Sequence, residues 1–297
     1  MLCNFVKRKI MKILVTGATG VLGSAVIETL VKKISASQIT VLTRKEDKQL
    51  DFQTKGFQAY LGDYEDLFAL EKAMKDVDTV LLISSGDQGD RMQEHRNVVD
   101  TAKKMGVQNI AYTSRSLRER TTLSNKLMFD HFDTEDYIKA SGLNYTIFQN
   151  ALYMDVIPLF VGKQVFETGI FQPAGDGKVA FALRTDMGEA MANVLLNETC
   201  TNKTYRFTGT EGSSFHDVAA VLTELSGKNV KYTSVDISVF EGIMKQKGLP
   251  EPMVKKIIDF NLDIKNGQEA TVTDDLENKL GRKPTSLREG LKVLFGL

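Results

Sequence analysis

Short apolar runs and amphipathic stretches alternate along the first half of the chain. Residues 13–15 are wholly apolar, and similar runs recur at 38–43, 58–62, 77–83, 107–113 and 143–148, each of a length suited to a strand. Between them, apolar side chains return at helical spacing: Val26, Ile27 and Leu30, then Leu67, Leu70 and Met74, then Val98, Val99, Ala102 and Met105 within 91–105. A further helix is predicted over 125–140 and ends at Gly142. Strand and helix in alternation, with short connections, predict an α/β fold built on a parallel, doubly wound sheet.

Beyond residue 150 the pattern loosens. An apolar stretch covers 153–161, a turn-rich piece covers 172–178, a helix is predicted over 186–196 and a strand over 204–208. Ser214 and Asp217 form a capping pair ahead of a helix whose Val218, Val221, Leu222 and Leu225 share a face, and Met253, Val254, Ile257 and Ile258 mark another after Pro250 and Pro252. These features divide the chain into a sheet domain over 11–150, with a later segment returning to its sheet, and a smaller α+β lobe over 151–297. Such a lobe forms the other wall of a substrate cleft. Residues 1–10 are read as an extension, poorly ordered or loosely packed.

Between the first strand and the first helix lies Gly17-Ala-Thr-Gly20-Val-Leu-Gly23. A turn this tight needs glycine's backbone freedom, and the helix that follows presents unpaired N–H groups to an anion. In a strand–turn–helix context the motif points to a bound dinucleotide, with the pyrophosphate against the turn. The second strand ends at Arg44 and Lys45, where a basic side chain suits the 2′-phosphate of NADP and an acidic one the ribose of NAD. Arg44 is the candidate, its planar fork matching phosphate, with a solvated basic loop as the alternative, given Glu46 and Asp47 next along. Asp63, beside Tyr64, lies where an adenine amino group is bonded, or caps the following helix. The small residues Ser84 and Ser85 leave room for the nicotinamide ribose and diphosphate.

Composition narrows the partners. Lys and Arg number 38, as do Asp and Glu, so no basic excess points to nucleic acid or an anionic membrane. No apolar run approaches the roughly 20 residues of a membrane helix. Cys3 and Cys200 have neither metal-ligand spacing nor a disulfide pattern, and no metal site is expected; a reducing cytoplasm is the natural setting. His95 is read as a satisfied residue at the core margin and His216 as a surface residue.

Taken in order, the glycine turn, Arg44, Gly62-Asp-Tyr64, Leu82-Ile-Ser-Ser85, His95-Arg-Asn-Val98, Ala111-Tyr-Thr-Ser114, His131, Thr134-Glu135, Asn150, Tyr153, Ala174-Gly-Asp-Gly-Lys178 and Arg184-Thr-Asp186 form a collinear set. The set extends to Thr273-Asp-Asp-Leu276 and Gly281-Arg-Lys-Pro. It resembles the NmrA-like branch of the atypical short-chain dehydrogenases, and within it the bacterial NAD(P)H-dependent quinone reductases and triphenylmethane reductases. The resemblance implies a Rossmann-type domain that binds NADPH, with NADH a weaker substitute, and a hydride passed directly to a flat conjugated acceptor such as a quinone. It implies that Gly17, Thr19, Gly20, Val21, Leu22 and Gly23 hold the diphosphate, Arg44 the 2′-phosphate, Asp63 with Tyr64 the adenine end, and Ser84 and Ser85 the inner ribose. Asn150 and Tyr153 would line the acceptor pocket. The family often shows Arg-Asn-Gly-Trp-Tyr where this chain has Gln149-Asn-Ala-Leu-Tyr153, so the pocket wall between the two is smaller and less aromatic. NmrA itself suggests an alternative, a silent NADP-binding sensor acting through a protein partner. Monomer and homodimer are both open.

Mainstream short-chain dehydrogenases use Tyr-x-x-x-Lys, and none of the eight tyrosines here has lysine four places on. Chemistry that depends on that pair is therefore not expected. Quinone reduction asks less: proximity to the cofactor, and a hydrogen-bond donor for the oxygen that becomes negative. The candidate donors are His131, Ser114, Asn150 and Tyr153. For His131, proton donation near neutral pH and a positioning or helix-packing role stand side by side.

Overall fold

The computed structural model describes residues 11–86, 89–162, 164–198 and 202–297. The readings of residues 1–10 and of Cys3 and Cys200 lie outside the described residues. The apolar run at 13–15 forms β1 (Ile13–Val15), buried throughout. The glycine turn leads directly into α1 (Val21–Leu30), which buries Leu22, Val26, Ile27 and Leu30. Next come β2 (Ile39–Thr43), buried at every position, and α2 (Glu46–Thr54). Strands covered on both faces need continuous apolar runs rather than alternation.

No periodicity announces α2, because the helix buries none of its residues. Its acidic first turn, Glu46 and Asp47, suits a helix N-terminus. Gln49 and Gln53 both donate to the carbonyl of Ala59, at 3.1 and 3.2 Å. That carbonyl belongs to β3 (Gln58–Leu61), so polar side chains, not an apolar stripe, tie helix to strand.

The chain continues through α3 (Leu67–Ala73), β4 (Thr79–Leu82), α4 (Arg91–Lys104), β5 (Asn109–Arg115), α5 (Phe129–Ala140) and β6 (Asn144–Asn150). Short helices α6 (Ile157–Val161) and α7 (Val165–Thr168), β7 (Ile170–Gln172), α8 (Arg184–Asn197) and β8 (Lys203–Phe207) follow. One seven-stranded sheet has the order β3-β2-β1-β4-β5-β6-β8. β1 pairs in parallel with β2 and β4, and β2 with β3 and β4 with β5 likewise. The strand order reverses between β1 and β4, and in open α/β sheets ligands bind outside the carboxyl ends of the strands at that point. The glycine turn leaves β1 there, and Ser84 and Ser85 leave β4. The fold is therefore a Rossmann-type α/β sheet, as the alternation of runs predicts.

The chain divides into two compact units. The first runs through Thr113 and takes in Thr134–Thr146 and the stretch ending at Lys203. Its core includes Leu14, Leu70, Met74, Val80, Val99 and Ile138. The second comprises Ser114–Asp133, Ile147–Glu198 and Thr204–Leu297. It contains α9 (Phe215–Ser226), opened by the capping box of Ser214 and Asp217, and β9 (Tyr232–Ser234), which pairs in parallel with β7. The helices α10 (Ile237–Gln246), α11 (Glu251–Lys265), α12 (Asp275–Leu280) and α13 (Leu287–Phe295) complete it. Its main core joins Ile157, Phe181, Phe215, Val218, Leu222 and Leu291.

Within the second unit, the polar connection after β5 is held by buried side chains at the end of α11 and just beyond it. Asp263 accepts the backbone N–H groups of Ser124 and Asn125 at 2.6 and 3.0 Å. Gln268 Oε1 accepts those of Arg118 and Glu119 at 3.1 and 2.9 Å. Buried acceptors matched to loop donors make an irregular segment as defined as a helix. Among the described residues no helix is long and apolar enough to cross a membrane, and no His, Cys, Asp and Glu cluster could hold a metal ion.

Candidate active site

In the first unit the glycine turn has the shape that an anion cradle needs. Gly17 has φ of 59°, a left-handed conformation that favours glycine, and its carbonyl accepts Gly20 N–H at 3.1 Å. A Cβ on Gly23 would lie 2.3 Å from the Gly17 oxygen and 2.9 Å from Ala18 Cα. Only glycine lets the first turn of α1 pack so closely on the loop. The N-cap, Gly20, offers no side chain to the free donors of that turn. Gly17, Thr19, Gly20 and Val21 are exposed, whereas Leu22 and Gly23 are buried. The turn therefore leaves unpaired N–H groups at an open surface, which suits a diphosphate.

Arg44 stands exposed just past β2 and makes no ion pair among the described residues, so its guanidinium is available to a phosphate. Asp63 is half-buried, and its Oδ1 accepts the N–H groups of Glu65 and Asp66 at 3.0 and 3.1 Å. Asp66 is the side chain that caps α3, accepting Ala69 N–H at 2.9 Å. Asp63 thus shapes the turn ahead of the helix without capping it.

The end of β4 is more tightly specified than its small residues suggest. Three successive backbone donors are each taken by a side chain from elsewhere. Ile83 N–H goes to Thr16 Oγ1 at 3.0 Å, Ser84 N–H to Thr113 Oγ1 at 2.9 Å, and Ser85 N–H to His95 Nε2 at 3.0 Å. The Tyr64 hydroxyl completes the frame, 2.7 Å from the Ile83 carbonyl and 2.6 Å from Thr16 Oγ1. Enclosure of that hydroxyl pushes its pKa well above the ordinary phenol value, so it stays protonated. Tyr64 therefore acts here as a strut between two strand ends.

His95 is fully buried, and its role follows from hydrogen-bond polarity. Ser85 N–H can only donate, so Nε2 is unprotonated and Nδ1 carries the hydrogen toward Thr134 Oγ1, 2.9 Å away. Burial, helped by the Arg91 charge, lowers the ring's pKa to about 3. His95 is a neutral acceptor at any ordinary pH, the satisfied residue that its helical spacing suggested. His216, by contrast, has a side chain 58 % exposed, 3.2 Å from Asp176.

The four candidate donors all fall in the second unit. Ser114 is buried near the end of β5, and His131 is buried in the first turn of α5. Asn150, which ends β6, has no exposed surface. Its carbonyl accepts Ser116 N–H at 2.8 Å, and its Nδ2 donates to Tyr153 Oη at 3.3 Å. Its Oδ1 is buried without a partner. Tyr153 is half-buried, bridged in parallel to Ala182, with the Arg184 guanidinium 4.5 Å from its ring centroid.

Two residues beside this group escape sequence reasoning. Glu269, 2 % exposed, pairs with Arg115 and lies near the Leu152 backbone, between Asn150 and Tyr153 in the chain. Burial raises its pKa against the pull of Arg115. Arg184 is visible in sequence only as part of the Arg184-Thr-Asp186 motif. Its place over the Tyr153 ring, two residues past the bridge at Ala182, is a tertiary contact without a local signature.

Comparison with known proteins places the whole chain. Quinone oxidoreductase 2 of Escherichia coli strain K12 is 35% identical over 286 residues, covering 96% of this chain and 99% of that protein. The crystal structure of the E. coli NADPH-dependent quinone oxidoreductase complexed with NADPH matches with a TM-score of 0.89 at 34% identity, over 95% of this chain and 99% of that one. Triphenylmethane reductase from Citrobacter sp., complexed with NADP(H), matches with a TM-score of 0.87 at 32% identity, over 96% and 100%. The sequence pattern of the NmrA-like family spans residues 9–293, and the chain belongs to that family.

Proposed function

We propose that the protein is an NADPH-dependent oxidoreductase that passes a hydride directly to a quinone or a similarly flat, conjugated acceptor. The observation that carries this reading is the pairing of an uncapped glycine-turn helix with an exposed Arg44 that makes no ion pair among the described residues, within a family whose similar members are named for NADPH and for quinone or triphenylmethane reduction. Residues 11–150 supply the NADP-binding domain and 151–297 the acceptor lobe, with Ser114–Asp133 and the end of β6 grouping with that lobe. NADH is the weaker cofactor, and the cytoplasm is the expected compartment.

Each residue has a task that its surroundings suit. Gly17, Thr19 and Val21 present backbone donors to the diphosphate, Gly20, its N–H held by the Gly17 carbonyl, lets the diphosphate approach the turn without a side chain in the way, and Leu22 and Gly23 pack the helix behind them. Arg44 takes the 2′-phosphate. Asp63 orients the adenine through the oxygen that its own turn leaves over, with Tyr64 fixing the backbone beside it. Ser84 and Ser85, their amides already committed, offer hydroxyls to the inner ribose. The bound cofactor supplies the hydride. Tyr153 donates to the acceptor oxygen that gains charge, because Asn150 Nδ2 occupies one lone pair of its hydroxyl and leaves its hydrogen free to turn outward. Ser114 and His131 are further donors to the reduced acceptor.

The test is a steady-state assay of NADPH absorbance with purified protein and a panel of quinones, dyes and azo compounds. Turnover of at least one quinone is expected. Tight NADPH binding with no turnover on any acceptor would replace the reductase reading with a cofactor sensor.

A further inference from the structure

The Arg184 guanidinium lies over the Tyr153 ring at 4.5 Å and makes no ion pair among the described residues. The neighbouring acids hydrogen-bond to groups other than the Arg184 guanidinium. Asp155 Oδ2 accepts the backbone N–H of Arg184 at 2.9 Å. Asp186, two residues on, accepts Arg282 Nη2 at 2.9 Å and Thr285 N–H at 2.7 Å. Arg184 is half-buried, so its charge is incompletely hydrated as well as unpaired. Beside the same phenol, Asn150 Oδ1 is fully buried and has no partner.

A guanidinium placed over an aromatic ring keeps donors that can match a carboxylate or sulfonate in pairs. We propose that Arg184 is a specificity-determining residue that supplies the counter-charge for an anionic substituent on the acceptor. The site then prefers flat, conjugated acceptors bearing a sulfonate, carboxylate or enolate over neutral ones of the same ring system. The inference rests on the reading in which Asn150 and Tyr153 line the acceptor pocket.

The test compares anthraquinone-2-sulfonate with neutral 2-(hydroxymethyl)anthraquinone. Dissociation constants are measured for the full-length protein saturated with NADP⁺, and NADPH oxidation is followed with each compound. The wild type is expected to bind the sulfonate roughly tenfold or more tightly than the neutral compound, in line with a charge-assisted pair. Arg184→Gln should remove that preference by weakening the sulfonate alone, and Arg184→Lys should restore part of it. Equal affinities in the wild type, binding of neither compound, or an equal loss of both in Arg184→Gln would overturn the proposal. A sulfonate preference without NADPH oxidation by any acceptor would support the role of Arg184 while overturning the reductase reading.

Discussion

At the carboxyl end of β4 the donors of Ile83, Ser84 and Ser85 are each taken by a side chain from another element. Beside Tyr153, a buried amide oxygen has no partner and a guanidinium makes no ion pair among the described residues. The contrast separates two kinds of polar construction. Where every group is satisfied internally, the segment is a rigid frame, and a ligand meets only what the frame displays. Where polar groups stay unmatched at a buried position, they are costly unless something completes them. A cofactor common to a family suits the first construction, and an acceptor that varies suits the second.

The largest effect is expected where the frame has no slack. Gly23→Ala places a Cβ against the backbone of Gly17 and Ala18, a clash that no side-chain rotation relieves. NADPH affinity should fall by roughly 100-fold or more, as 3 kcal/mol of displaced cradle implies. Unchanged affinity in a fluorescence titration would mean that the turn does not hold the diphosphate.

On the acceptor side, Tyr153→Phe keeps the ring under Arg184 and removes only the hydroxyl. Turnover number should drop by roughly 10²-fold with little change in KM, the signature of a donor used in the transition state. A kcat that survives the change would assign the donor role to another group, with His131 and Ser114 tested next.

Arg44→Ala separates the cofactors. Loss of a charge-assisted phosphate contact worth about 1.5–3 kcal/mol should raise the NADPH dissociation constant roughly 10- to 100-fold. The constant for NADH should hold within about twofold, and equal losses for both would remove the 2′-phosphate role.

The smallest effect concerns His95, whose neutral ring is built into the frame. His95→Gln should lower stability by about 1–3 kcal/mol near pH 7 if the Ser85 donor is left poorly matched. The pH dependence gives a sharper signature. The unfolded chain protonates this ring below its ordinary value of 6.5, whereas the native protein resists until about 3. The unfolded state thus binds more protons across that window, and the contribution present above it is lost as pH falls from 6.5 toward 3. Denaturant titrations should show a flatter stability–pH profile for the variant over that range. Parallel profiles would contradict the neutral, frame-building role.

How much of this was legible in sequence differs by region. β1, the glycine turn and α1 are adjacent in the chain and carry a strong local pattern, so residues 13–30 read almost as they fold. α2 lacks an apolar face and left no trace, although two glutamines hold it to β3. The frame around Ser84 joins residues 67 and 29 positions apart, Thr16 to Ile83 and Thr113 to Ser84, and no local pattern encodes such pairs. Asn150 and Tyr153 came into view only through the ordered set of motifs. Their polar neighbours Glu269 and Arg184 stayed hidden because each is defined by a contact made in the folded chain.

The central claim, direct transfer from cofactor to acceptor, is tested most directly by a single turnover. Protein preloaded with one equivalent of NADPH is mixed anaerobically with excess quinone, and cofactor absorbance is followed together with the quinol formed. Loss of NADPH matched by an equal amount of quinol, abolished by Gly23→Ala and slowed by Tyr153→Phe, is the expected result. NADPH that stays bound and reduced while quinone is present would contradict it.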